Sequence, residues 1–379
     1  MTQDVAIVRC DSYEGKEVSS ALEKAMDLCP PPDVQGKTVL LKPNILWDSP
    51  PELAITTHPE IVRGAVQLFF RRGAARVLVG DSPGLHSKSF PTDSCGIREA
   101  AESAGAEWID FNGEKTTLPV PGARRVKKFT LTRAVEEADL IVSLPKMKTH
   151  TLMYYTGAMK NLFGLVPGTL KASFHARYPG QEAFASVMID LNAGLKTAAY
   201  ALMDGVIGLE GPGPGKAGKP KRMALILASD NLLAMDLVAS GLMGYDAPLL
   251  PMNREALRRG LWLKNAEDLA VKGLSLEEAK PEHFETVPLP RRRSNLLNYL
   301  TTSFSLVVKS QRRPKPTFDH RVCIRCGKCI EICPAGALSY TGTGSSRLVL
   351  LNEKACVRCY CCHEICPVGA ISVGEHPPQ

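Results

Sequence analysis

The end of this chain is written twice. Cys323, Cys326, Cys329 and Cys333 run into Pro334, and Cys356, Cys359, Cys362 and Cys366 run into Pro367, so both copies read C-x2-C-x2-C-x3-C-P. Three thiolates at two-residue gaps demand a tight loop around one small volume, and they leave the fourth ligand of a cubane cluster to come from elsewhere. Structural zinc usually draws its four ligands from separated C-x2-4-C pairs instead. Nine of the twelve cysteines fall in the last 57 residues, with only Cys10, Cys29 and Cys95 before them. That asymmetry argues for metal rather than for a disulfide framework, and the three early cysteines read as small buried side chains.

Residues 317–374 therefore resemble the bacterial two-cluster ferredoxins, which implies two [4Fe-4S] clusters in a small α+β ferredoxin-like domain spanning 317–379. In that arrangement the fourth cysteine of each run serves the other cluster. One set is then Cys323, Cys326, Cys329 and Cys366, and the other is Cys356, Cys359, Cys362 and Cys333. Ile324, Ile330, Ile332, Val357 and Ile365 lie between the ligands, where apolar side chains would exclude water and help set the potential. The copies part at one place, where Tyr360-Cys361 replaces Gly327-Lys328. With both ligand sets complete without it, Cys361 reads as a spare thiol, and His363 as a residue that tunes the second cluster.

The first 290 residues have a different texture. Short β-branched runs at 5–9, 38–42, 75–80, 140–144, 199–203 and 223–228 alternate with helical patterns at 17–28, 59–72, 97–104, 182–197 and 232–243, the signature of an α/β domain with a mainly parallel sheet and helices on both faces. Residues 205–221 carry so many glycines and prolines that they read as a long loop or lid. Gly213, Gly215 and Gly218 match a dinucleotide fingerprint in letters only, because a further strand follows where that motif needs a helix.

Residues 291–316 read as a linker. Seven of their side chains are basic and none is acidic, and apart from those seven the chain holds 39 basic against 39 acidic residues. The net charge of +7 is thus local, and nucleic-acid binding is not expected. A hydrophobic content of 44% with no apolar run approaching 18 residues excludes a transmembrane segment, and the N-terminus lacks a secretory pattern; a cytoplasmic location is expected.

Ligands of open α/β sheets bind beyond the carboxyl ends of strands. There this sequence places Lys42 and Asn44, Asp81, Lys146, Lys148 and His150, followed by Lys160, Asn161, Lys171 and His175. So many cations beside small residues suit an anionic small molecule. We expect Lys42, Asn44, Asp81, Lys146, Lys148, Asn161 and Lys171 to bind it, and His150, Lys160 and His175 to serve catalysis. Asp81, Asp204, Glu210 and Asp236 with a histidine are a weaker candidate for a second metal.

At Lys42-Pro43-Asn44, Gly80-Asp81-Ser82-Pro83-Gly84, Leu144 to His150 and Thr156 to Gly164, the first domain resembles domain-of-unknown-function family 362, some members of which are fused to a C-terminal ferredoxin unit. The resemblance covers roughly residues 5 to 245 and implies an architecture but no reaction. Together these readings describe an iron–sulfur electron-transfer protein, an oxidoreductase that would pass single electrons from its clusters to the bound anion and receive them from a redox partner protein. The alternative is a non-enzymatic carrier or maturation factor that docks to a larger redox enzyme.

Overall fold

A computed structural model describes residues 3–84, 90–195, 197–265, 268–289 and 313–374. Before residue 290 the described strands are, in chain order, β1 (Gln3–Arg9), β2 (Thr38–Pro43), β3 (Arg76–Asp81), β4 (Glu107–Asp110), β5 (Lys115–Pro119), β6 (Lys128–Thr132), β7 (Leu140–Leu144), β8 (Lys146–His150), β9 (Tyr154–Thr156), β10 (Ala198–Glu210), β11 (Lys219–Ser229) and β12 (Leu269–Gly273). All but the β5–β6 hairpin join one ten-stranded sheet, whose main path runs β12-β1-β11-β10-β7-β2-β3-β4. The pairs β7–β2, β2–β3 and β3–β4 are parallel, whereas β11 runs antiparallel to both its neighbours.

Burial on both faces explains the apolar strand sequences. Val39, Leu41, Val77, Val79 and Val142 face the helices Gly15–Leu28, Pro59–Arg71 and Ile97–Ser103. Their alternates Leu40, Leu78 and Ile141 face the helices Gln181–Gly194, Leu232–Leu242 and Pro251–Arg258. This is the expected α/β architecture with helices on both sides. Cys10, Cys29 and Cys95 are buried in the first of these cores.

Two local expectations need correction. The glycine-rich segment is largely not a loop: β10 runs to Glu210 and β11 starts at Lys219, so only the hairpin end between them is irregular. Glycine sits in β10 because other backbone comes close, a Cβ at Gly208 lying 3.0 Å from the Met147 carbonyl. The run after Leu144 is likewise strand rather than loop. Pro145 interrupts it without ending it, because its carbonyl still accepts from Asp204 N at 2.9 Å and β8 continues alongside β10. The basic linker lies outside the described residues for nearly all its length.

The C-terminal unit is small and α+β. β13 (Pro316–Phe318) pairs with β16 (Ile371–Val373), β14 (Leu338–Thr341) pairs with β15 (Leu348–Leu351), and single helical turns span Lys328–Glu331 and Cys361–Glu364.

Candidate functional site

The cysteines divide as the crossed pattern requires. Cys323, Cys326, Cys329 and Cys366 line a cavity enclosing about 380 Å³, part of it open to solvent. Cys333, Cys356, Cys359 and Cys362 line another of about 340 Å³, and Cys361 stands on the same wall. The Cys329 thiol is pushed up to about 11 by burial and by Cys323, Cys326 and Cys366, the other members of its own set. The two fourth cysteines are held alike, Cys333 Sγ accepting from Ala337 N at 3.3 Å and Cys366 Sγ from Ala370 N at 3.2 Å. Such N–H···S bonds favour thiolates and tune a cluster's potential. Among the described residues no three His, Cys, Asp or Glu side chains could hold a single metal ion. Thiols spread around a volume fit a cluster better than a lone ion.

A third cavity, of about 760 Å³ including space open to solvent, lies where the two units meet. Its α/β wall contains Lys42, Asn44, Asp81, Lys160, Asn161, Lys171 and His175, and its ferredoxin-side wall contains Ile332, Cys361, Glu364 and Ile365. The parallel strands β2 and β3 end here, which brings Lys42 and Asp81 together as a buried ion pair of 2.8 Å. Asp81 also accepts from Ile45 N and Ser82 N, so its charge is spent on structure.

The turn Ala158–Asn161 delivers Lys160 and Asn161. Its start is capped by the Asp236 carboxylate, which accepts from Ala158 N at 2.6 Å and Met159 N at 3.1 Å. Gly157 is required at that point, because a Cβ would stand 2.1 Å from Asp236 Oδ1. Gly164 is required for the same kind of reason, since its Cβ would lie 2.0 Å from Lys42 Cε. Asn161 then donates to Lys42 O at 2.8 Å and accepts from Asn44 Nδ2 and Lys42 Nζ, both at 3.1 Å.

The cavity lining holds three lysines and two carboxyls, of which Lys42 and Asp81 form an ion pair. Among the described residues neither Lys160 nor Lys171 has a carboxylate within ion-pair distance. Burial lowers the pKa of both, that of Lys171 to about 7 against the opposing pull of Asp81. His175 packs flat on Phe184 with ring centres 4.3 Å apart, and burial drives it to about 3, so its ring is neutral. An incoming anion would meet the Lys160 amine, the Lys171 amine, which donates to Ser82 O and Oγ, and a neutral imidazole, with the Glu364 carboxyl on the facing wall.

The remaining predicted residues stand outside this lining. Lys146 is paired with Asp204 at 2.9 Å and donates to Tyr13, whose ring stacks on His58. Lys148 donates to Ile55 O at 2.7 Å. His150 accepts from Leu152 N and Met153 N at Nδ1, which leaves its proton on Nε2, 3.3 Å from Glu364 Oε1. The strand periodicity of β8 is the reason, for it turns these side chains into the protein. The acids suggested for a second metal are engaged elsewhere: Asp204 with Lys146, Asp236 with its cap, Asp81 with Lys42, and Glu210 with Glu285 N at 2.8 Å.

Sequence reasoning missed the ferredoxin side of the cavity. Glu364 inserts beneath Lys148, Lys160 and His150, and burial lifts its carboxyl to about 7 while the two lysines hold it down. Glu331 occupies the same place in the first copy, so spacing alone could not single Glu364 out. Cys361 is buried in this wall, a place for the spare thiol that only the docking of the units reveals. The intervening apolar residues do not all exclude water either. Ile365 is buried, but Ile324 is 59% exposed. His363 reaches across the junction, with Nε2 2.9 Å from Pro212 O and 3.2 Å from Thr151 Oγ1, and Nδ1 2.7 Å from Ile371 O.

Known proteins match in the same two parts. The profile described as Domain of unknown function (DUF362) matches residues 39–241, and that of the 4Fe-4S dicluster domain matches 310–370. The chain belongs to the DUF362 family. This DUF362 protein carries its ferredoxin domain after the family domain and is an iron–sulfur protein built for electron transfer. The Thylakoid-associated protein sll1697 of Synechocystis sp. is 27% identical over 270 residues, which is 69% of this chain and 81% of that protein. Two solved structures resemble part of it. A Thermotoga maritima protein is 14% identical with a TM-score of 0.37 over 59% of this chain, and the lactate racemase apoprotein of Thermoanaerobacterium thermosaccharolyticum is 11% identical with a TM-score of 0.40 over 64%. The chain spans 57% of each. Among the described residues no helix is long and apolar enough to cross a membrane.

Proposed function

We propose that this protein is an iron–sulfur oxidoreductase that reduces an anionic small molecule held in the cavity between its two units. One observation carries the reading: Lys160 and Lys171, neither in an ion pair among the described residues, line a wall that faces a cluster-binding run, with Cys361 and Glu364 on either side of Cys362 in that run. When bound, the two clusters supply single electrons.

The chain's own residues divide the remaining work. Lys160 and Lys171 bind the anion and neutralise the charge that grows as it is reduced. Lys42, Asn44, Asp81 and Asn161 form the rigid bed beneath it, holding one another rather than the ligand. Lys146, paired with Asp204, and Lys148, bonded to Ile55 O, brace the strand behind the lining rather than bind the anion. His175 is neutral while the cavity lacks an anion, and a bound anion raises its pKa by offsetting the burial penalty. Arrival of the anion thereby draws a proton to His175, which can pass it to the reduced product. His150 stands behind the lining, with Nε2 3.3 Å from Glu364 Oε1.

Anaerobic purification with iron and sulfide quantitation, and mass spectrometry of small molecules released on denaturation, tests the reading. The two-cluster assignment requires about eight irons per chain. A released anion that the Lys160→Ala variant no longer retains supports the enzyme. Iron and sulfide with no small molecule, in a protein that co-purifies with a stoichiometric partner, would favour a carrier or maturation factor instead.

A further inference from the structure

The two cluster sites differ in what surrounds them, and the difference names a second surface. The site of Cys323, Cys326, Cys329 and Cys366 opens outward: Cys326 is exposed, and Ile324 beside it is 59% exposed. Arg325 and Lys328 line the same opening. Arg347 lies over the Tyr340 ring at 4.7 Å, and its carbonyl accepts from Arg325 Nε at 3.2 Å. Tyr340 in turn donates to Arg325 O at 2.7 Å, so the basic rim is braced rather than free to fold away. Arg321 adds a side chain that is 89% exposed. Asp319 is bonded to Arg321, which among the described residues of this rim leaves Glu331 against Arg325, Lys328 and Arg347.

We propose that this basic, apolar-centred face is the docking surface for an acidic protein that carries single electrons. The proposal rests on the electron-transfer reading above and gives it a direction. One electron leaves the reduced carrier and is taken up at the outward site, with no bond made or broken, and Cys361 lines both the inward site and the cavity. A protein is favoured because an exposed cluster ligand encircled by cations, with Ile324 at the centre, has the apolar middle and charged rim of a transient protein interface. Complementary charge would act mainly on association rate and its salt dependence.

The test uses the full-length holoprotein and flavodoxin, an acidic flavin-bearing single-electron carrier. Lys328→Glu combined with Arg347→Glu should weaken association about tenfold or more at low salt and flatten its salt dependence, as rim charges do. Dithionite should still reduce the variant, with about eight irons retained. Lys24→Glu paired with Lys16→Glu, on the helix Gly15–Leu28, makes the same change in net charge elsewhere and should leave association as in the wild type. Equal behaviour of the two double variants overturns the proposal. So does a wild-type protein that dithionite reduces but flavodoxin does not bind, an outcome that leaves the electron-transfer reading standing. If the rim variant instead loses binding to phosphatidylglycerol vesicles while flavodoxin association is unchanged, the surface is a lipid site and the proposal fails. Clusters that no reductant can reduce would remove the electron-transfer reading itself.

Discussion

The two cysteine runs have one spacing and two fates. In the first, Cys326, Ile324 and Lys328 are exposed; in the second, Cys359, Tyr360, Cys361 and Cys362 are all buried. Ligand spacing is the shared requirement, and both copies meet it with the same left-handed residues, Arg325 at φ 58° and Arg358 at φ 52°, then Gly327 at φ 80° and Tyr360 at φ 65°. The positions between the ligands are free to differ, and there the run acquires either an outward or an inward role. Glycine takes the left-handed conformation without strain in the exposed copy. The buried copy accepts a strained tyrosine because its ring fills the junction and its hydroxyl donates to Pro314 O at 2.8 Å.

The largest expected effect separates ligand from neighbour within the second run. Cys362→Ser should cost one cluster and leave about four irons per chain, whereas Cys361→Ser should keep about eight. Anaerobic iron and sulfide analysis of the two variants reads this directly. Loss of iron from the Cys361 variant would make that thiol a ligand and erase the distinction between the copies.

Next comes the wall that the second run faces. Lys160→Ala should lower turnover of the released anion, once known, by about a hundredfold or more, the scale for removing one preorganised charge from a developing anion. Lys328→Ala occupies the exposed copy and should leave single-turnover reduction of that anion by the prereduced protein unchanged. Equal losses in the two variants would mean that the cavity between the units is not where the chemistry occurs.

How much of this was legible in the sequence follows from which forces act locally. Eight cysteines at fixed spacing announced the clusters, because the spacing within each run is local; their crossed sharing was what the resemblance to two-cluster ferredoxins implied. The buried parallel strands and the helices on both faces were equally plain, since β-branched runs such as Val39 to Leu41 record burial. Of the residues expected beyond the strand ends, Lys42, Asn44, Asp81, Lys160, Asn161, Lys171 and His175 line one cavity, whereas Lys146, Lys148 and His150 do not. Pro145 and the glycines of β10 misled, because punctuation residues look the same whether a strand stops or another backbone presses against it. Glu364 and Cys361 stayed hidden because their partners lie some two hundred residues away, on a surface that exists only when the units dock.

Tyr360 measures what the inward role costs. Tyr360→Phe removes one hydrogen bond and should destabilise the holoprotein by about 1 kcal/mol. Tyr360→Gly relieves about 1–2 kcal/mol of left-handed strain but forfeits about 3–5 kcal/mol of aromatic packing, for a net loss of about 1–4 kcal/mol. Anaerobic denaturant midpoints distinguish the two. A more stable glycine variant would show that the ring contributes nothing at the junction and that the copies differ by accident.

The smallest effect concerns the charge of the cavity itself. Burial holds Lys171 at about 7, far below an ordinary lysine, with Lys42 and Lys160 pressing in the same direction and Asp81 opposing them. Only the ammonium form attracts an anion, so affinity should be highest below pH 7 and decline as pH rises through that value, by at most tenfold per pH unit for one proton. An anion already bound stabilises the ammonium and raises its pKa, so the decline should level off at higher pH rather than continue. Phosphate binding measured by calorimetry from pH 6 to 9 follows this curve once the ionisation of phosphate itself is subtracted. Lys171→Arg keeps its charge throughout and should bind with no such decline. An identical profile in both proteins would transfer the titration to another group and leave Lys160 alone as the residue that holds the anion against the second cysteine run.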